Sequence, residues 1–375
     1  MIQTPYPNSV LVVGPSASLG GIASVMRLHS TTKLWDHLHC HVLSTYDEQN
    51  VPRKILAMLR AYTLAPVLIH KADLVHIHVA AQHSMWRKLP IVLLTKLLRK
   101  PYVVHLHAAS EASLFEHTPQ WLVRAILLLS YRVIVLSDHW ASIVKRHVAD
   151  ARVTIIHNPV PLPPPSHPIK NDSAPVILFV GKLEARKGYR NLLDAAPEIL
   201  ERFPNARFWF VGHGEVQQAL QHAASRGLQN SVSCTGWIDA DDMEYYYRST
   251  SIFCLPSYDE GLPMAVLEAM SYALPVVCTR VGGLPDIISD RRNGFFATVG
   301  DAHSIAHCII ELLADPALAN RIGEHAALTI ERECGIARIE QKLADLYREV
   351  DAEWTVRRHG RREADIPATS NLNHR

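Results

Sequence analysis

The chain has 375 residues, 48% of them hydrophobic, which favours two domains over one and supplies apolar side chains for buried cores. No apolar run reaches the ~18 residues of a membrane-spanning helix, and the start MIQTPYPNSVLVVGP lacks the basic stretch and long apolar segment of a signal peptide. The net charge of +2 conceals an asymmetry: residues 1–160 hold 16 Lys+Arg against 8 Asp+Glu, and the remainder holds 22 against 28. A basic first half is expected to meet something anionic. Its cations flank apolar segments, which suits a phospholipid surface or a lipid-linked phosphate better than a nucleic acid.

Short β-branched runs alternate with longer periodic segments throughout. The first half predicts strands at Val10–Val13, Cys40–Leu43, Leu74–His78, Tyr102–His107, Val133–Leu136 and Val153–Ile156, with helical segments between them. Two of those segments, Pro52–His70 and Trp86–Lys100, are apolar with basic flanks, as in interfacial helices or in core helices with basic ends. The proline-rich stretch Pro159–Pro168 extends neither a helix nor a central strand and reads as an interdomain linker at 161–172. Strands then restart at Val176–Val180, Arg207–Val211, Val232–Thr235, Ile252–Leu255 and Pro275–Cys278, and helices run from Ala302 to about Trp354. The expected organisation is α/β: two doubly wound domains, residues 1–160 and 173–355, the last helix able to pack back on the first domain, and a disordered polar tail over 356–375. Ligands bind beyond the carboxyl ends of the strands in such sheets, so the expected site is the cleft between the domains. The six cysteines are scattered, with no CxxC pair, and read as buried free thiols of a reducing cytoplasm.

The stretch SYDEGLPMAVLEAMSYALPVVC, Ser257–Cys278, carries two acids eight positions apart, Glu260 in a loop and Glu268 in a helix expected to begin at the Gly261-Leu262-Pro263 turn. Proline suits the first helical position, and a helix start offers free amides and a positive dipole end to a phosphate. Glu268 is expected about two turns into that helix. One acid beside an anion seat and a second further along suit a diphosphate with hydroxyls on both sides, as in a nucleotide sugar. In Gly181-Lys-Leu-Glu-Ala-Arg-Lys-Gly188, the cations Lys182, Arg186 and Lys187 crowd a helix start, an unfavourable place for positive charge unless an anion binds there. Gly20-Gly21, Gly212-His-Gly214 and Gly282-Gly283 are strand-to-helix turns that permit close approach of a ligand or serve simply as turns.

Two patterns imitate metal sites. Asp239-Ala-Asp-Asp242 contains D-x-D but precedes a helical segment, where aspartates serve as caps. His76-Ile-His78 and His105-Leu-His107 each place two imidazoles on one strand face. The two strands are expected on opposite sides of the first strand, which separates the pairs, and no carboxylate completes a catalytic zinc set.

The stretches FVGKLEARKG, FVGHGE, CTGWI, PSYDEGLPMAVLEAM and PVVCTRVGGLPDII together resemble glycosyltransferase family 4, of the GT-B fold. The likeness covers about Val176 to Gly300. GGIASVM, DLVHIH and VVHLHAAS look like the family's acceptor-side domain. The resemblance implies two Rossmann-like domains facing a central cleft, and retaining transfer from a UDP- or GDP-sugar to a saccharide in surface polysaccharide assembly, lipid-linked in view of the basic, apolar first half. It assigns the transfer to His107, Glu260, Lys187 and Lys182. Lys182 and Lys187 would hold the diphosphate, Glu260 and the amides of Gly261 and Leu262 the sugar and phosphates, and Glu268 the ribose. Gly20, Gly21, Gly212, Gly214, Ile238 and Pro263 complete the donor site. It implies no metal or other cofactor. The cysteine usage and the basic, apolar first half add the expectation of a cytoplasmic protein in peripheral contact with an anionic inner leaflet. The chain departs from the family's pattern at Lys182, where arginine is usual and bidentate, at Ala108 in place of glycine, and at Asp286 in place of glutamate. A nucleotide-sugar epimerase and a non-catalytic nucleotide-sugar-binding module are the alternatives.

Overall fold

A computed structural model describes residues 7–15, 20–47, 50–163 and 174–364. In the first half, β1 (Val10–Gly14), β2 (His41–Ser44), β3 (Leu74–Val79), β4 (Tyr102–Leu106), β5 (Arg132–Val135) and β6 (Val153–Ile155) alternate with α1 (Gly21–Ser30), α2 (Lys33–His37), α3 (Val51–Lys71), α4 (His83–Leu97), α5 (Gln120–Leu128) and α6 (Asp138–His147). In the second half, β7 (Val176–Val180), β8 (Arg207–Val211), β9 (Val232–Gly236), β10 (Ile252–Leu255), β11 (Val276–Thr279) and β12 (Phe295–Ala297) alternate with α7 (Tyr189–Arg202), α8 (Val216–Ser225), α9 (Ala240–Arg248), α10 (Met264–Ser271) and α11 (Leu284–Ile287). Helices α12 (Ala302–Ala314), α13 (Pro316–Glu333) and α14 (Ile336–Ala364) close the fold.

Two six-stranded parallel sheets result, in the orders β2-β1-β3-β4-β5-β6 and β12-β11-β10-β7-β8-β9. Strands such as VLVVG and LVHIHV are buried on both faces, as parallel strands covered by helices must be. Leu11 and Val13 of β1 pack with α3, α4, α5 and α6, while Val10 and Val12 face α1 and α14. Helix α14 thus leaves the second half and covers the first sheet: Ile339, Leu343, Leu346, Tyr347 and Val350 are buried against Val103 and Ile134. Arg132 at the start of β5 binds Glu349 and Glu353 of the same helix.

Three expectations are corrected. The tail expected from residue 356 remains helical to Ala364; residues 365–375 lie outside the described residues, as does most of the expected linker (164–173). Strands β3 and β4 are neighbours, because the chain steps from β1 past β3 to β4 on one side of the sheet, so His78 pairs in register with His105. Helix α10 starts at Met264 with Pro263 as its extended N-cap rather than its first helical residue, and by residue count Glu268 lies about one turn in rather than two. All six cysteines are free. No helix among the described residues is long and apolar enough to cross a membrane.

Candidate active site

Strand order locates the site. In the second sheet the chain moves from β7 to β8 and β9 on one side, then returns to place β10 on the other, so the loops after β7 and β10 diverge and leave a crevice. Those two loops carry Lys182–Lys187 and Ser257–Pro263. Lys187 and Glu260 meet across the crevice, Nζ to Oε1 at 2.5 Å. Glu260 is only 4% exposed. Ser257 also donates to its Oε1 at 2.8 Å, and Arg186 lies 3.6 Å from its Oε2. A buried carboxylate needs such partners to remain charged.

The three cations expected to await an anion are therefore already paired within the protein. Lys182 binds Glu184 at 3.1 Å, Glu184 binds Arg186 at 2.9 Å, and Arg186 donates to the Asp259 carbonyl at 2.6 Å. Burial opposes ionisation of Glu184, but its two cations outweigh it and hold its pKa low. Charges thus alternate from Lys182 through Glu184, Arg186 and Glu260 to Lys187. Lys182 is the outermost, with half its side chain in solvent. Below Glu260, the amides of Gly261 and Leu262 have no backbone acceptor among the described residues, and the short α10 begins without a side-chain cap.

The first half closes over this crevice. A Cβ on Gly261 would lie 2.7 Å from the Ala108 carbonyl oxygen, and one on Gly283 would lie 2.8 Å from the Ser137 Cβ. Only glycine permits these approaches. Asn158 donates to the Leu262 carbonyl at 2.8 Å, and Asp286 accepts from the Asp138 amide at the start of α6 at 2.6 Å. The aspartate in the GGLPD turn therefore bridges the halves. Gly20, the N-cap of α1, and Gly21 lie across from α10: a Cβ on Gly21 would come within 3.9 Å of the Met264 side chain. His107 precedes Ala108, so it too stands at this junction.

The remaining expected donor residues lie further round the sheet edge. Gly212 and Gly214 have φ of +146° and +116°, and a Cβ on either would strike the Gly181 or Leu183 carbonyl oxygen at 1.9 or 2.4 Å. They are glycines because the loop after β8 presses on the loop after β7. Ile238 is half-buried against the second core. Glu268 is held apart from Glu260; Tyr247 of α9 donates to its Oε2 at 2.7 Å, and removal from water raises its pKa. Asp239 occupies the N-cap position of α9, and its carboxylate accepts from the Trp237 indole. Ser257 and Tyr247 were not singled out from sequence. Ser257 opens the SYDEG stretch, but nothing local announces Tyr247, 21 residues from its partner.

The neighbouring order of β3 and β4 stacks the four histidines beneath the cleft. His107 Nε2 lies 2.9 Å from His78 Nδ1, and His76 lies 3.2 Å from His105 and 2.5 Å from the Tyr347 hydroxyl of α14. His76, His78 and His105 bring ring nitrogens within 4.8 Å of one another. They form a poor metal cradle: the His76 and His78 rings are parallel to 8° at 4.5 Å, so their in-plane lone pairs do not converge. Burial keeps the group uncharged, lowering His107 to about 3 and His29, alongside, to about 4.

Residues 166–329 match the family model of glycosyl transferases group 1. The second half of the chain is similar to group 1 glycosyl transferases. Among curated relatives, the alpha-D-kanosaminyltransferase of Streptomyces kanamyceticus is 29% identical over 180 residues, 48% of this chain and 47% of that protein. The lipopolysaccharide core biosynthesis glycosyltransferase LpsE of Rhizobium meliloti is 31% identical over 158 residues, 42% of this chain and 45% of its own. The chain thus spans about half the length of the curated relatives it matches. The likeness in fold runs through both halves: the crystal structure of Anabaena Alr3699/HepE in complex with UDP-glucose superposes with a TM-score of 0.71 at 20% identity, covering 90% of this chain and 98% of that one. The architecture is GT-B.

Proposed function

We propose that the protein is a retaining glycosyltransferase that moves a sugar from a UDP- or GDP-sugar to a saccharide acceptor, lipid-linked, in surface polysaccharide assembly. The observation that carries this is the buried Glu260 carboxylate, held by Lys187 and Ser257 beside the amides of Gly261 and Leu262, which have no backbone acceptor among the described residues. In this reading the amides and the start of α10 receive the diphosphate. Lys182 exchanges Glu184 for a phosphate oxygen and, with Lys187, neutralises charge as the leaving group departs, without a metal ion. Glu260 accepts from hydroxyls of the transferred sugar, and Glu268, steadied by Tyr247, takes the ribose hydroxyls. His107 adjoins the transferred sugar, Gly20 and Gly21 face the phosphates, and the loops of Gly212, Gly214 and Ile238 flank the nucleotide. The acceptor oxygen bonds to the anomeric carbon on the face the diphosphate leaves. The C–O bond to phosphate breaks with its electron pair going to the phosphate, which takes the acceptor's proton.

The relatives named for saccharide transfer and the neighbour that binds UDP-glucose support the donor class. The test begins with a thermal-shift screen against UDP, GDP, ADP and their sugar conjugates, since selective binding raises Tm by mass action. The preferred donor is then incubated with a saccharide acceptor and the product anomer read by NMR. A retained anomer is expected, and an inverted one removes the same-face mechanism. Conversion of the donor without acceptor would instead indicate an epimerase, and unchanged turnover in Glu260→Ala a role outside catalysis.

A further inference from the structure

Helices α3, α4 and α5 lie side by side on one face of the first sheet. The Tyr62 hydroxyl of α3 donates to the Arg87 carbonyl of α4 at 3.0 Å, and Trp86 of α4 meets Trp121 of α5 edge-on with 5.5 Å between centroids. Their inner sides bury residues such as Ala61, Ile69, Ile91 and Leu122 in the core. Their outer sides are apolar as well. Ile55, Leu56 and Leu59 of α3, Trp86 and Leu97 of α4, and Trp121 of α5 are exposed, Leu56 at 65% and Leu97 at 77%. None of the first ten residues of α3, 51–60, is buried, so this stretch stands proud of the sheet. An exposed patch of this kind marks an interaction surface.

The charge carried by the three helices has one sign, while the exposed Glu116 before α5 stands at their edge. Residues 51–100 contain nine Lys and Arg and a single acid, Asp73, and α3, α4 and α5 contain no acid. Asp73 is spent elsewhere, accepting from the amides of Asn8 and Ser9. Of the cations, Lys88 is buried, Arg53 and Arg60 are exposed on α3 beside Leu56 and Leu59, and Lys96 and Arg99 are exposed at the far end of α4. Helices in a parallel α/β sheet run against the strands, so the N-termini of α3, α4 and α5 lie at the carboxyl edge, beside the cleft. Ile55, Leu56, Leu59, Trp86 and Trp121 all fall in the N-terminal halves of their helices. The patch therefore borders the candidate site.

We propose that this surface docks on an anionic phospholipid bilayer, with the indoles at headgroup level, Leu56 and Leu59 in the upper acyl region, and the cations among the phosphates. Indole rings favour that depth, long basic side chains place their stems along the apolar surface and their heads in water, and each cation near an anionic leaflet adds to the attraction. The exposed apolar residues share the outer side with basic ones, and no helix among the described residues is long and apolar enough to cross a membrane, so the helices lie in the interface. A second copy of the chain is a poorer occupant: a two-fold contact sets the same basic helices, none of which carries an acid, against themselves and brings cations face to face. The docking surface is independent of the proposed transfer chemistry, but it would hold the cleft mouth at the depth where a lipid-linked acceptor presents its saccharide.

Co-sedimentation of the whole protein with phosphatidylcholine vesicles, with and without about one third phosphatidylglycerol, tests the assignment. The anionic vesicles should retain the protein at low salt and release most of it at about 0.5 M NaCl, because surface charge is screened within a few ångströms there. The variant Leu56→Glu/Leu59→Glu should lose at least ten-fold in vesicle affinity and keep the wild-type Tm, since both side chains are exposed. Its Tm rise with the nucleotide that stabilises the wild type, without vesicles, reports the donor site separately. Failure to bind anionic vesicles overturns the proposal, as does binding that survives Leu56→Glu/Leu59→Glu. A concentration-dependent dimer that this variant dissolves would assign the face to a second copy and equally overturn it.

Discussion

Lys182 and Lys187 carry the same charge five residues apart, yet the protein holds them in different ways. Lys187 is mostly buried and neutralises a carboxylate with almost no access to water. Lys182 is half exposed and paired only with Glu184. Removing one partner of a buried pair strands the other, at a cost of about 3 kcal/mol or more, whereas an exposed pair contributes about 1 kcal/mol or less. Lys187→Met should therefore lower both Tm and activity. Lys182→Ala should leave Tm within a degree or two and raise the KM for the donor about ten-fold or more, the worth of one charge-assisted hydrogen bond. Equal Tm losses in the two variants would show that Lys187 and Glu260 are not coupled as the 2.5 Å contact indicates. The histidine stack makes a second statement at this scale. His107, His29, His76, His78 and His105 all have pKa values lowered from 6.5 by burial, so the unfolded chain binds more protons than the folded one below about pH 6.5. Their contribution is complete above that pH and is lost as pH falls toward about 4 and 3, the values for His29 and His107. Tm should fall steadily from pH 7 to pH 5, and His105→Phe should flatten that slope. A flat wild-type profile would mean the stack is already protonated or solvated.

At the level of elements, the strands were the most legible part of the sequence, because buried parallel strands are unbroken apolar runs bounded by turns. The short β12, Phe295–Ala297, escaped because it holds no β-branched residue to mark it, unlike the equally short β6. The order of strands was not legible: periodicity says which face a residue takes but not which strand lies alongside, and that gap wrongly separated His76 and His78 from His105 and His107. In the candidate site, the residues in contiguous loops were legible from Gly181-Lys182 to Gly188 and from Ser257 to Glu268. The pairing between them was not, since Arg186 and Lys187 reach Glu260 only when the loops after β7 and β10 converge. The loops after β10 and β11 meet the first half through glycine, at Gly261 and Gly283. In Gly261→Ala a methyl would lie 2.7 Å from the Ala108 carbonyl, backbone against backbone with no side chain to yield. The substitution should prise the halves apart rather than unfold either. A displacement of about 1 Å at a reacting centre costs about a hundred-fold in rate, so kcat/KM should fall by that order while circular dichroism stays unchanged. Full activity in Gly261→Ala would show that the closed contact is dispensable.

For the whole molecule, α14 decides how far the two halves are separate folding units. The chain crosses to the second half after β6, builds the second sheet, and then returns α14 to the first sheet, where it seals the face that α1 covers only in part. Tyr347 is the centre of that seal, 2% exposed and bonded to His76 beneath the cleft. A cavity of about 20 Å³ beside it, lined by His29, His76, His78 and Cys40, is the size of a single water's berth, so the packing is close. Truncating a large buried aromatic costs about 3–5 kcal/mol. Tyr347→Ala should therefore destabilise the first sheet although its mutated residue lies 192 positions beyond the end of β6 at Ile155. Tyr347→Phe keeps the ring but leaves a buried histidine nitrogen without its partner, and should cost about 1–3 kcal/mol. Hydrogen exchange can locate the damage. In both variants the amides of β1, β3 and β4 should lose protection more than those of β7, β8 and β10. Equal loss in both sheets would mean that the halves unfold as one unit, and loss confined to the second would place the stabilising role of α14 there instead.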